Sequence, residues 1–201
     1  MRNYEADTSD GRYRQTVAPT LEPVTLEEAR AQCSIMDGAH DVLLSSLITA
    51  ARNIIERRHE RQLLPATWTL ALDNFPDEIE IRKTPVTAVT QIAYVDQTGT
   101  PQVFNPLLYQ FDVASPNQRA RVRPVWGTIW PITRTGYVNA LVVTFTAGYA
   151  SPAAVPIGYR RAILMMVAQM FLNRGMDSEG AVHAERAFEW LLQSEDPGAY
   201  A

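Results

Sequence analysis

His183-Ala184-Glu185 has the H-x-E spacing in which a zinc-bound histidine stands two residues from a proton-shuttling glutamate. A site of that kind also needs a cysteine pair, and Cys33 is the only cysteine of the chain. The match therefore fails at its sulfur ligands. His40, His59 and His183 lie far apart in sequence and follow no metal-ligand spacing. Cys33 falls on the apolar side of a predicted helix, which suits a small core residue better than a nucleophile. No phosphate-cradling glycine loop, G-x-S-x-G or H-E-x-x-H is found, and the acidic residues are scattered. The sequence gives no support to an enzyme: no catalytic residue, metal or cofactor is expected.

Two basic clusters remain. Arg119, Arg121 and Arg123 alternate with Ala120 and Val122, so on a strand they project from one face at about 7 Å spacing. Three like charges so placed repel unless something anionic, or water, meets them. DNA phosphate, acidic side chains of a neighbouring subunit and solvent all fit, and the same three readings apply to Arg57, Arg58 and Arg61. Both clusters are thus candidates for a DNA channel or a subunit interface. No aromatic residues interleave with them as in a dedicated single-strand binder.

The chain has 201 residues and a formal net charge of −4, which exerts no global pull toward nucleic acid or anionic membrane. Lys83 is the only lysine; the arginine bias reflects either interfaces or a GC-rich genome. A lone cysteine permits no disulfide within the chain and fits a reducing compartment. No apolar run approaches a membrane span, and Met1 to Thr20 lacks the apolar core of a signal peptide. The expected setting is cytosol, or a particle assembled there.

The elements that position these residues read as follows. Residues 1–22 are polar and form either a loose arm or a strap anchored on a neighbour by Tyr4, Tyr13 and Val17. A short helix is predicted over about 25–36, with Thr25 and Glu28 at capping-box spacing and Leu26, Ala29, Cys33 and Met36 on one face. A long helix follows over about 40–61, capped by Asp37 or Asp41. Its apolar stripe is Leu43, Leu44, Leu47, Ile48, Ala51, Ile54 and Ile55. From about 66 to 148 the period changes to two, and frequent prolines predict short strands and edges rather than one broad sheet. Helical spacing returns over about 156–174 and 178–194, before a tail at 196–201. The fold class expected is α+β. An N-terminal helical hairpin and two C-terminal helices form a helical bundle over 23–195, with a small antiparallel β module inserted.

An ordered series of short motifs resembles the head–tail connector (adaptor) proteins of long-tailed bacteriophages and gene transfer agents. The series starts with Val24-Thr25-Leu26-Glu27-Glu28-Ala29, Asp41 to Glu56 as D-x-L-L-x-x-L-I-x-A-A-R-x-x-I-E, and Arg61-Gln62-Leu63-Leu64. It continues through Thr67-Trp68, Leu72-Asp73-x-Phe75-Pro76, Thr84-Pro85-Val86, Tyr94-x-Asp96-x-x-Gly99, Trp130-Pro131 and Phe145 to Tyr149. It ends at Pro156-x-x-x-Arg160-x-Ala162-Ile163-Leu164 and Asn173-Arg174. The family typically has Thr-Gly where this chain has His59-Glu60. The resemblance implies a structural virion protein at the head–tail interface. It would form a homo-oligomeric ring, commonly a dodecamer, under the portal protein, extend the DNA channel and offer a docking platform to a stopper or tail-completion protein. Double-stranded DNA would pass through it transiently, and no membrane is involved. The resemblance further implies that Gly175 to Ala201 faces the portal, with Phe188, Trp190 and Leu191 as candidate anchors. Two alternatives stand beside it: a small nucleic-acid-binding regulator working through Arg119 to Arg123, and a tail-side completion protein of the same particle.

Overall fold

The computed structural model describes residues 12–112 and 118–172. Over these residues the chain is α+β, with three α-helices and two antiparallel sheets. It divides into two compact units. A β unit takes the chain up to Ala18 together with Pro65–Gly148, and a helical unit takes Pro19–Leu64 and the chain from Tyr149. The predicted helix over 178–194 and the tail lie outside the described residues.

In the helical unit, α1 (Leu26–Gln32), α2 (Asp41–Arg58) and α3 (Ile157–Leu172) share one core. The predicted capping box is present: Thr25 Oγ1 accepts from the Glu28 amide at 3.1 Å, and Glu28 Oε2 accepts from the Thr25 amide at 2.7 Å. Such caps contribute about 1 kcal/mol each. α1 ends four residues earlier than its periodicity predicts. Ser34 turns left-handed (φ 57°), and the amides of Ser34 and Ile35 return to the carbonyls of Ala31 and Arg30. This is a Schellman stop made without glycine. It carries Met36 off the helix and into full exposure. The same stop ends α2: Glu60 is left-handed (φ 50°) and the Arg61 amide returns to the Glu56 carbonyl. Glu60 thus adopts, at a cost of about 1 kcal/mol, the conformation a glycine would take freely.

α2 buries Leu44, Ile48, Ala51 and Ile55 as its stripe requires, whereas Ile54 is exposed. Its N-cap is His40, which makes no side-chain cap; neither Asp37 nor Asp41 caps it. Asp37 instead closes a turn onto the Ala39 amide, and Asp41 forms a two-pronged pair with Arg30 of α1, one bond being 2.7 Å. That guanidinium holds the Asp41 carboxyl below the usual range. Near the other end of α2 the Glu56 carboxylate is buried. It accepts from Arg52 (2.9 Å), from the Gln62 amide group (2.8 Å) and from the Leu63 backbone (2.8 Å). Arg52, also buried, reaches Glu22 at 2.7 Å. Burial works against the Arg52 charge, but the bonds and field of Glu22 and Glu56 raise its pKa above the ordinary value.

The β unit holds a five-stranded sheet in the order β1-β2-β8-β4-β5. Its strands are β1 (Arg12–Val17), β2 (Ala66–Leu72), β4 (Val86–Val95), β5 (Pro101–Val103) and β8 (Leu141–Ala147). A smaller sheet, β3-β7-β6, is made of β3 (Ile79–Ile81), β6 (Tyr109–Asp112) and β7 (Ala120–Pro124). β8 is central; alternate residues Leu141, Val143, Phe145 and Ala147 are buried, matching the half-buried pattern of its sequence. Between them the inner faces bury Leu70, Ile81, Ile92, Val122 and Phe145 in a second core. Two expectations are corrected here. A broad sheet does form, because the prolines fall at strand ends and in connections rather than within its long strands. And residues 12–17, assigned from their polarity to a loose arm, are a strand. They pair with β2 in register Tyr13↔Leu70 and Arg14↔Thr69, and the Tyr13 ring packs edge-on against Phe145. The backbone ladder, the Tyr13 ring and the Tyr13 hydroxyl, which donates to the Glu80 carbonyl and accepts from the Arg82 amide, hold this polar segment; residues 1–11 lie outside the described ones.

The β4–β5 turn is built by Asp96. Its carboxylate accepts from the hydroxyl and amide of Thr98, the amide of Thr100 and the side chain of Gln102. Those bonds, led by the Thr98 hydroxyl, lower its pKa to about 2.

Two outcomes follow for stability. Glu56→Ala leaves the buried Arg52 with Glu22 alone and leaves the Gln62 and Leu63 donors unmet, and should lower unfolding free energy by about 2–4 kcal/mol in urea titrations followed by helical circular dichroism. For Asp96 the folded pKa lies below the unfolded value of about 3.9. Its contribution is therefore complete above about pH 4 and disappears as pH falls toward 2. Melting temperatures of Asp96→Asn and wild type should differ at pH 5 and converge by pH 2.

Candidate functional site

β7 lies between β3 and β6, and its register decides what its arginines meet. Glu80 stands opposite Arg121, and Asp112 stands opposite the same arginine from the other side. Arg121 and Arg123 project outward while Ala120 and Val122 are buried, as alternation predicts. Each arginine of the ridge then finds an acid: Arg119 pairs with Glu80 at 3.2 Å, Arg121 with Asp112 at 3.1 Å, and Arg123 with Glu78. The arginine side chains remain about half exposed (49, 54 and 58%), so each pair contributes only about 0.2–1 kcal/mol. Their consequence is electrostatic. An open hollow of about 380 Å³ beside the ridge is lined by Glu78, Gln110, Phe111, Asp112, Arg121 and Arg123. A phosphate entering it would meet two carboxylates as well as two guanidinium groups. The ridge arginines thus pair with acids of the same chain and keep about half of each side chain open to DNA, a neighbour or solvent.

The second cluster divides. Arg57 and Arg58 are exposed at the end of α2. Arg61 is 2% exposed, with its guanidinium 5.6 Å from the centre of the Tyr159 ring. The Schellman stop at Glu60 turns Arg61 into the helical unit, where a cation over an aromatic face is tolerated. Arg61 is therefore a core residue and no candidate for DNA or a subunit interface. Cys33 packs against the helical core and burial pushes its thiol pKa up, which suits an inert side chain. Among the described residues no group of three His, Cys, Asp or Glu is arranged to hold a metal ion. His183, Phe188, Trp190 and Leu191 lie outside the described residues.

One surface escaped the sequence reading. The segment 124–133, Pro-Val-Trp-Gly-Thr-Ile-Trp-Pro-Ile-Thr, contains no charged residue. In it Trp126 is 101%, Ile129 86% and Ile132 70% exposed, beside Leu107 at 82%. The signal was the uncharged run itself, which the proline punctuation disguised as an ordinary loop.

A family model, that of the phage gp6-like head-tail connector proteins, matches residues 23–100. Over that stretch the chain is similar to the connector family. Solved structures extend the likeness. A chain from the neck of an empty gene transfer agent (GTA) particle, computed with C6 symmetry, is 26% identical with a TM-score of 0.70. The match covers 84% of this chain and 88% of that one. A chain from the virion of a native GTA particle is 25% identical, TM-score 0.70, over 83% and 87%. A third, from the neck of a native GTA particle computed with C12 symmetry, shares the fold at 24% identity and TM-score 0.60, over 82% and 86%. No curated protein matches. The connector stretch includes α1, α2, the Glu56 network and the Asp96 turn, whereas the arginine ridge and the uncharged loop lie beyond it.

The compensated ridge makes a specific expectation. Wild-type protein should bind duplex DNA weakly at 100 mM salt. The triple variant Glu78→Gln, Glu80→Gln, Asp112→Asn should gain affinity, with log K falling against log salt at a slope of about −2 to −3, measured by fluorescence anisotropy.

Proposed function

We propose that this chain is a head–tail connector (adaptor) subunit of a phage or gene transfer agent virion, acting as a structural ring element with no bond-making chemistry. The observation that carries this reading is the 26% identical neck chain matched over 84% of the sequence, together with the connector family match at 23–100. The similar neck was computed with C6 symmetry, which a ring of six or twelve subunits satisfies. We take the dodecamer as the working stoichiometry. The ring sits under the portal protein, extends the DNA channel and presents a platform to the stopper or tail-completion protein.

A channel wall must let duplex DNA slide. Unpaired arginines would grip phosphate with a steep salt dependence, and the internal pairing of Arg119, Arg121 and Arg123 removes that grip. The same pairing weighs against the nucleic-acid-binding regulator, which needs these arginines for phosphate. In the connector reading the segment Gly175 to Ala201 docks on the portal, with Phe188, Trp190 and Leu191 as anchors; aromatic side chains carry much of the energy of such contacts.

Electron microscopy of the purified protein mixed with its cognate portal tests this. A new ring of density below the portal is expected, and a chain ending at Arg174 should fail to add it. Binding to tail components with no portal association would establish a tail-side completion protein instead.

A further inference from the structure

The loop after β7 is held too firmly for its exposed apolar side chains to be incidental. Trp126 stands at the corner of a turn closed by Thr128 N–H to Val125 O at 3.0 Å, with Gly127 at φ 79° in the position that favours glycine. The Val125 amide donates to Leu108 O at 3.0 Å. Further along, Trp130 stacks on Phe75 with ring centres 4.8 Å apart and planes 17° off parallel, and its indole N–H donates to Asp77 O. Thr133 bridges to Asp96. The part-buried Trp130–Phe75 stack and the buried Thr133 hold the backbone while Trp126, Ile129 and Ile132 face water. Rigid, exposed aromatic and aliphatic side chains are the form of an interface hot spot before its partner arrives.

The loop also forms one wall of an open groove of about 490 Å³. Phe75, Pro76, Ile129, Trp130 and Ile132 contribute to its apolar lining, and among the described residues Asp77 is the only charged one in it. Trp126 is not part of that lining and projects beside it. One unit thus carries both a projecting uncharged tongue and a largely apolar groove with one acid in its lining. A repeated head-to-tail contact needs two different, mutually fitting patches on each subunit. Their near-absence of charge lets copies of a net-acidic chain approach without local repulsion.

We propose that Trp126 of one copy seats in the Phe75–Ile132 groove of the next copy, forming the lateral contact of the ring. This rests on the ring reading above. A second copy is the occupant because the groove offers the chemistry the tongue needs: apolar walls for the indole rings and a carboxylate within the lining for its N–H.

The test uses the full chain with portal, in a Cys33→Ser background. Rings are assembled from Cys33→Ser chains carrying a small, equal share of Trp126→Cys and Ile132→Cys chains, and oxidised. Disulfide-linked dimers should exceed those in rings carrying either variant alone at the same total share at least fivefold. Trp126→Ser should melt with wild type, since the side chain is fully exposed, yet lose the ring in micrographs. Rings that form without the mixed disulfide, or a Trp126→Ser ring as complete as wild type, would overturn the tongue contact and leave the ring reading standing. Wild-type protein that never forms a ring would remove the ring reading, and the tongue contact with it.

Discussion

Glu56 carries its charge inside the helical unit, near the C-terminal end of α2, where the helix dipole disfavours an anion. It is held there by three donors: Arg52 one turn earlier, the Gln62 side chain and the Leu63 backbone. Arg52 in turn is held by Glu22, ahead of α1. This single carboxylate therefore fixes three pieces of chain, the approach to the helices, the end of α2 and the strand-like exit through Leu63 and Leu64. Both leucines are wholly buried only because that exit has a fixed direction. Two motif pieces that look separate in sequence, the Ile55-Glu56 end of the long helix and Gln62-Leu63-Leu64, are one hydrogen-bonded object.

Much of this was legible without coordinates. The 3.6 period over α2 and α3 and the period of two through β2, β7 and β8 reflect burial of one stripe or one face, and burial is what hydrophobic spacing reports. Thr25 and Glu28 declared their cap because that interaction is local. What escaped was non-local or lacked its usual residue. Both helix stops use left-handed residues, Ser34 and Glu60, where glycine would have advertised them. β1 is polar, and only its pairing with β2, more than fifty residues on, makes it a strand. Arg61 looked like a surface charge because a sequence shows the charge and not the Tyr159 ring beneath it. The acids that compensate the ridge sit on β3 and β6, and only the register brings them beside it. For the candidate surfaces, the ridge's common face could be read but its neutrality could not, and the uncharged loop gave a signal that its prolines masked.

The β unit keeps its two surface chemistries apart. On the small sheet, charge is dense but cancels over a few ångströms, so its field dies quickly with distance and changes little with salt. In the loop after β7, charge is absent altogether and contact depends on shape and desolvation. A surface of paired charges and a surface of exposed apolar side chains are then carried by adjoining segments of one small fold.

The outer strands of the five-stranded sheet have a consequence for the life of the free chain. A sheet that ends in open strands exposes rows of unpaired amides and carbonyls, a template on which other chains can stack into fibres. Here one border is β1, studded with Arg12 and Arg14, and with a register shift between Gln15 and Val17. The other is β5, three residues long and begun by Pro101, which has no amide to offer. Charge, irregularity, brevity and a missing donor each blunt sheet-to-sheet stacking. A chain made in many copies can therefore stay dispersed at high concentration, and its association is left to side chains rather than to backbone edges.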